Sequence, residues 1–105
     1  MNRLEHLLAF CEEDPSDPFN WYGLALEYLK TDPSKAGEQF DRLLRDFPQY
    51  IPTYYHAAQF WAESGDETKA RITYEKGISE AAAARDAHAL RELRGALGRW
   101  EEEWE

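Results

Sequence analysis

Two stretches of this chain carry one pattern of small and aromatic residues, offset by 33 positions in their first halves and 34 in their second. The first reads Trp21, Leu24-Ala25, Tyr28, Ala36, Phe40, Leu43 and Pro48, and the second Tyr54, Ala57-Ala58, Trp61, Ala70, Tyr74, Gly77-Ile78 and Ala82. Steps of three and four put each half on one face of a helix, so every copy predicts a pair of packed helices. Helices approach to about 8–10 Å only where the crossing residues are small. Ala25, Ala36, Ala58 and Ala70 are therefore the expected crossing points. Trp21, Leu24, Tyr28, Phe40, Tyr54, Trp61 and Tyr74 are expected to fill the core beside them. The first copy is one residue short in its turn, and Ala57 and Gly77 predict thinner packing in the second.

Start and stop signals divide the chain into six helices. Leu4, Leu7, Leu8 and Cys11 form one apolar stripe, predicting a helix from Asn2 to about Glu13. Asp17-Pro18 is a cap followed by a first-turn proline, opening a helix to about Lys30, and Asp32-Pro33 repeats the device for a helix to about Asp46 with Leu44 inward. Phe47-Pro48 closes that helix, and the next spans roughly Ile51 to Glu63. Ser64-Gly65-Asp66 is a tight turn in which Gly65 takes the left-handed conformation and Asp66 caps a helix from Glu67 to about Ala82. The run Ala81-Ala82-Ala83-Ala84 carries no stop. An unbroken helix to Trp104 would extend on the order of 55 Å, so a break near Arg85-Asp86 is predicted, with Asp86 as the cap. The last helix places Leu90, Leu93, Leu97, Trp100 and Trp104 on one side, and Arg91, Glu92, Arg94, Arg99 and Glu102 on a solvated side.

The series W-x2-L-A-x2-Y followed by A-x3-F-x2-L-x4-P resembles the tetratricopeptide repeat family, whose unit is a helix, a tight turn and a second helix. The resemblance implies an all-α fold, a right-handed stack of helix-turn-helix units. It implies an organisation of one repeat-like domain: residues 1–16 an orphan helix, 17–50 and 51–84 two repeats, and 85–105 a terminal capping helix. Leu7, Phe10 and Pro15 stand 33 residues before Phe40, Leu43 and Pro48, as the second half of a repeat would, although Arg3 replaces the small residue at its start.

In that family the first helices of each pair line a concave groove that holds an extended peptide or a partner helix. The matching residues here are Phe19, Tyr22 and Leu26, with Leu29, on the second helix, and Tyr55, His56 and Gln59 on the fourth. Core packing against a neighbouring helix is the competing role for the line on the second helix. Positions that clamp a ligand carboxylate in one sub-family hold Tyr22, Leu26 and His56, none of which carries a fixed positive charge. The resemblance implies a protein-interaction module for an adaptor or scaffold. Self-association through the same apolar surface, giving homo-oligomers, is the alternative.

Composition narrows the partners further. The 105 residues carry 21 acidic and 12 basic side chains, a formal net charge of −9, which repels nucleic acid and anionic lipid. No run reaches the roughly 18 apolar residues of a membrane span, and no leader pattern opens the chain. A lone Cys11 needs no oxidising compartment, and a cytoplasmic protein is expected. His6, His56 and His88 fall on separate helices without metal-ligand spacing, and the glycines form no phosphate-binding loop. No catalytic residue, cofactor, metal or small-molecule substrate is therefore expected, and His88 and Glu92 read as a surface pair one helical turn apart.

Overall fold

A computed structural model describes Met1–Glu103 as six α-helices: α1 (Arg3–Glu13), α2 (Pro18–Thr31), α3 (Pro33–Asp46), α4 (Pro52–Glu63), α5 (Glu67–Ala83) and α6 (Ala87–Glu102). No strand occurs among the described residues, and the expected position of Trp104 lies outside them. The helices gather into two compact units, Met1–Tyr50 and a second that begins at Ile51.

In the first unit, α2 packs against both α1 and α3. Asp17 caps α2 by accepting the Phe19 amide at 3.0 Å, with Pro18 in the first turn. Leu24, Ala25, Ala36, Phe40 and Leu43 are all 1% exposed or less, which places both alanines in the packed interface the repeat predicts. Leu44 and Trp21 are half-buried. The Trp21 indole N–H donates to the Pro15 carbonyl at 2.8 Å, while the Arg42 guanidinium lies 4.3 Å from the ring centre.

Two expectations for this unit change. Asp32 does not cap α3 through its side chain, because its carboxylate accepts the Ser34 hydroxyl at 2.8 Å instead. On α1 only Cys11 is fully buried; Leu4 and Leu7 are half-buried and Leu8 is 38% exposed. Leu8 stands about 100° round the helix from Leu7 and falls beyond the contact with α2. Burial pushes the Cys11 thiol up to about 11, against a smaller opposing effect of Arg42, so it stays protonated at neutral pH.

The second unit uses one turn geometry twice. Asp66 N–H donates to Trp61 O and Gly65 N–H to Ala62 O; Asp86 N–H donates to Ala81 O and Arg85 N–H to Ala82 O. Both are the paired bonds of a left-handed helix stop, with Gly65 at φ +85° and Arg85 at φ +57°. Asp66 and Asp86 then cap α5 and α6 by accepting the amides of Lys69 and Ala89. The helix break therefore falls at Arg85-Asp86.

At Gly77 the second unit is closely packed, against the expectation for that position. A Cβ on Gly77 would lie 2.6 Å from Tyr54 Cβ and 3.2 Å from Leu93 Cδ1. Gly77 is thus the point where α5 admits the Tyr54 ring and α6 together, and the missing side chain is what allows the close approach. Tyr54, Ala57, Ala58 and Ala70 are fully buried around it.

Candidate functional site

On the first unit, Phe19, Tyr22 and Leu26 follow steps of three and four and share a line along α2. Phe19 is 65% exposed, while Tyr22 and Leu26 are half-buried. Part of Tyr22 is taken up internally: its ring meets Tyr50 edge to face, with centres 5.7 Å apart. Burial, with a smaller effect of Asp17, raises the Tyr50 pKa. The strip therefore offers one open aromatic side chain beside two partly covered ones.

On the second unit, Tyr55 and Gln59 line a cleft of about 300 Å³. Tyr74, Ala96 and Trp100 also line it, and being almost fully buried they form its floor. Arg99, Glu63 and Glu103, all exposed, form its rim. Arg99 is exposed, as its place among polar neighbours suggested, and it also borders this cleft. Its guanidinium folds back along the helix, where a Cβ on Gly95 would sit 3.1 Å from Arg99 Nη1. Gly95 stands one turn earlier on the same helix, so the arginine lies over a position without a side chain. A fixed positive charge thus stands at this cleft, supplied by α6 and not by the α2 and α4 positions where the clamp comparison looked.

The Tyr74 phenol is raised chiefly by burial and next by Tyr55, with Arg99 acting in the opposite direction. Two hydroxyls, a carboxamide, a guanidinium and two carboxylates therefore border one aromatic floor. Such a surface suits a backbone segment, whose carbonyls and amides need both donors and acceptors.

His56 is not among the lining residues. Its ring meets Tyr55 edge to face at 5.5 Å, and burial pushes the imidazole below its usual pKa, partly offset by the Glu92 carboxylate. The folded state therefore binds a proton less readily than the unfolded chain. The stability this contributes is complete above the ordinary imidazole value near 6.5 and is lost as pH falls through the lowered folded value. Thermal melts between about pH 7.5 and pH 5.5 should show a falling midpoint, and His56→Gln should flatten that slope. An unchanged slope would mean that His56 is solvated in both states.

His88 Nε2 lies 3.3 Å from Glu92 as an exposed pair on α6. Among the described residues no group of three His, Cys, Asp or Glu side chains is placed to hold a metal, and no helix is long and apolar enough to cross a membrane.

The chain is similar in structure to a tetratricopeptide repeat domain protein from Salinibacter ruber, solved twice. One crystal structure shares 35% identity, with 83% of this chain and 98% of that one covered and a TM-score of 0.77. A solution NMR structure shares 37% identity, with 85% and 91% covered and a TM-score of 0.80. A Bordetella parapertussis protein solved in solution has the same fold, with a TM-score of 0.81 over 98% of this chain and 90% of its own, at 21% identity. No family model and no curated protein sequence matches the chain. With its repeat signature, its helix-turn-helix fold and these relatives, the chain belongs to the tetratricopeptide repeat family, a family of protein-interaction modules in general.

Proposed function

We propose that this chain is a non-enzymatic adaptor or assembly scaffold that holds a peptide or helical segment of a partner protein at the Tyr55–Arg99 cleft. In this reading residues 17–50 and 51–84 act as two repeats flanked by the helices within 1–16 and 85–105. The observation that carries it is the cleft itself: Tyr55 and Gln59 beside Arg99 over a floor of buried aromatic rings. Tyr55 supplies flat apolar area at low entropic cost, and Arg99 and Gln59 supply directed hydrogen bonds, the combination that anchors interfaces. Phe19, Tyr22 and Leu26 form a further contact strip on the first unit, and His56 braces the Tyr55 ring. A protein ligand accords with the net charge of −9, which disfavours nucleic acid and anionic lipid. The single buried thiol accords with a cytoplasmic setting.

Affinity capture with quantitative mass spectrometry tests this, comparing the wild-type chain with Tyr55→Ala, Arg99→Ala and a control, Ile72→Ser, on the exposed side of α5. Proteins kept by wild type and by the control should be depleted by about 5- to 30-fold for the cleft variants, the equivalent of about 1–2 kcal/mol. Equal capture by all four would place binding on another face. Self-association is the second reading, favoured by the exposed Phe19 ring. It predicts a mass that rises with concentration and falls on Phe19→Ser.

A further inference from the structure

The cleft on the second unit is bordered at four-residue steps by Tyr55, Gln59 and Glu63 on α4, and by Arg99 and Glu103 on α6. Its charged side chains are therefore two carboxylates and one guanidinium. Among the described residues neither Glu63 nor Glu103 is held in an ion pair. Glu63 stands in the last turn of α4, where the helix dipole favours a cation and no basic residue occurs. The Arg99 guanidinium lies back over Gly95, one turn before Arg99, whereas Glu103 stands one turn after it. Opposite charges thus occupy opposite ends of that edge.

A buried acceptor faces the same space. Tyr74 is 4% exposed and lines the cleft, and its hydroxyl makes no hydrogen bond with another described residue. A phenol oxygen so placed gains by accepting a bond from a donor that enters. After burial, the influences on that phenol are Tyr55, Arg99 in the opposite direction, and then Glu63 and Glu103, so both carboxylates lie within electrostatic reach of it. Below them the floor is aromatic, and rings of this chain already carry cations. Arg42 lies 4.3 Å from the Trp21 centre and Lys69 4.3 Å from that of Trp61, while Arg71 lies 5.2 Å from that of Trp100 and bonds Glu101 at 2.9 Å. An arginine on a ring beside a carboxylate is thus an arrangement the chain itself builds next to the cleft.

We infer that the cleft takes an arginine side chain of the partner segment, with the guanidinium against the aromatic floor and its N–H groups directed at Glu63, Glu103 and the Tyr74 oxygen. This rests on the interaction reading above and names the partner's chemistry. A guanidinium is planar and weakly hydrated, so it stacks on a ring while its edge serves carboxylates, which the compact, strongly hydrated lysine ammonium does less well. The volume of about 300 Å³ falls at the small end of the roughly 300–1,000 Å³ of ligand pockets, which suits one long side chain. An acidic side chain would instead meet Glu63, Glu103 and a chain of net charge −9. The same net charge draws a basic segment toward the chain.

Magnetic resonance titration of the full chain, labelled with nitrogen-15, tests this with the N-acetyl amides of arginine, glutamine and aspartate as probes, each to about 50 mM, a range that reads millimolar affinity. The arginine probe should shift the Glu63 and Tyr74 backbone amides and the Trp100 indole saturably. The glutamine probe should bind at least about 5-fold more weakly, and the aspartate probe should not saturate. The double variant Glu63→Gln, Glu103→Gln should weaken the arginine probe by about 5- to 10-fold, the scale of two exposed ion pairs. Glu12→Gln with Glu13→Gln, the same change in net charge placed on α1, should leave its affinity unchanged. Amide dispersion in the same spectra shows that each variant is folded. An arginine probe that leaves these signals unmoved, binds no better than glutamine, or is indifferent to the two carboxylates would overturn the inference. Saturable binding of the aspartate probe at these signals would overturn it too, because Arg99 would then make the cleft an anion site. If the arginine probe fails while Tyr55→Ala still depletes captured proteins, the inference falls and the interaction reading stands; equal capture by all the capture variants removes that reading on its own count.

Discussion

Replacing Tyr54 by alanine should lower the unfolding free energy by about 3–5 kcal/mol, the range for truncating a buried aromatic ring. The neighbouring Tyr55→Ala should cost about 1 kcal/mol or less, as expected at a partly exposed position. Tyr54 is 0% exposed and fills the space above Gly77, where Leu93 of α6 also arrives. Its removal opens a cavity shared by α4, α5 and α6, and three helices cannot all shift to close it. Burial raises the Tyr54 phenol to about 12, with Glu80 adding to the effect. Tyr54→Phe keeps the volume and should lose only about 1 kcal/mol for the hydroxyl. Denaturant titrations with a common slope read all three values. A loss below about 1 kcal/mol for Tyr54→Ala would show that the ring is not the centre of this packing.

The contrast between these adjacent tyrosines also shows what the sequence could and could not convey. Spacing alone separates Tyr54 from Tyr55, because only Tyr54 falls on the three-and-four line with Ala57, Ala58 and Trp61. The stops at Gly65 and Arg85-Asp86 were legible for a similar reason: turn chemistry is local, and Asp66 and Asp86 each bond an amide three residues on. Where neighbours decide the outcome, spacing fell short. Asp17-Pro18 and Asp32-Pro33 are the same dipeptide, yet Phe19 follows the first pair and leaves the carboxylate free to cap, whereas Ser34 follows the second and captures it. Gly77 read as a loss of packing, because periodicity assigns a direction to a residue but not the ring that will lie across it. Arg99 was assigned to solvent on the same grounds. It is indeed exposed, but that it also borders a cleft depends on Tyr55, Gln59 and Tyr74 from α4 and α5, which periodicity along α6 does not show.

Ending the chain before Arg85 should abolish the cooperative unfolding of the second unit. α6 packs on both α5 and α4, and it brings Leu93, Ala96 and Trp100 into the interior. Trp100 lies 5.9 Å from the Tyr74 ring, with the Arg71 guanidinium 5.2 Å from its own centre and bonded to Glu101 at 2.9 Å. Burying Leu93 and Trp100 contributes on the order of 5 kcal/mol at the usual value for large apolar side chains. That is comparable to the roughly 5–15 kcal/mol that separates a folded domain from its unfolded chain. Without α6, Tyr74 and the Tyr54–Gly77 contact face water on the side from which Leu93 came. The α4–α5 pair then loses the helix that covers one of its faces, and the floor of the cleft loses Ala96 and Trp100. The truncated chain should lose more helicity than the deleted residues carry and should aggregate or melt without a sharp transition. A truncated chain that keeps a sharp melt with an unchanged midpoint would mean that α6 adds no stability to α4 and α5, and the cleft would then rest on a helix that contributes surface alone.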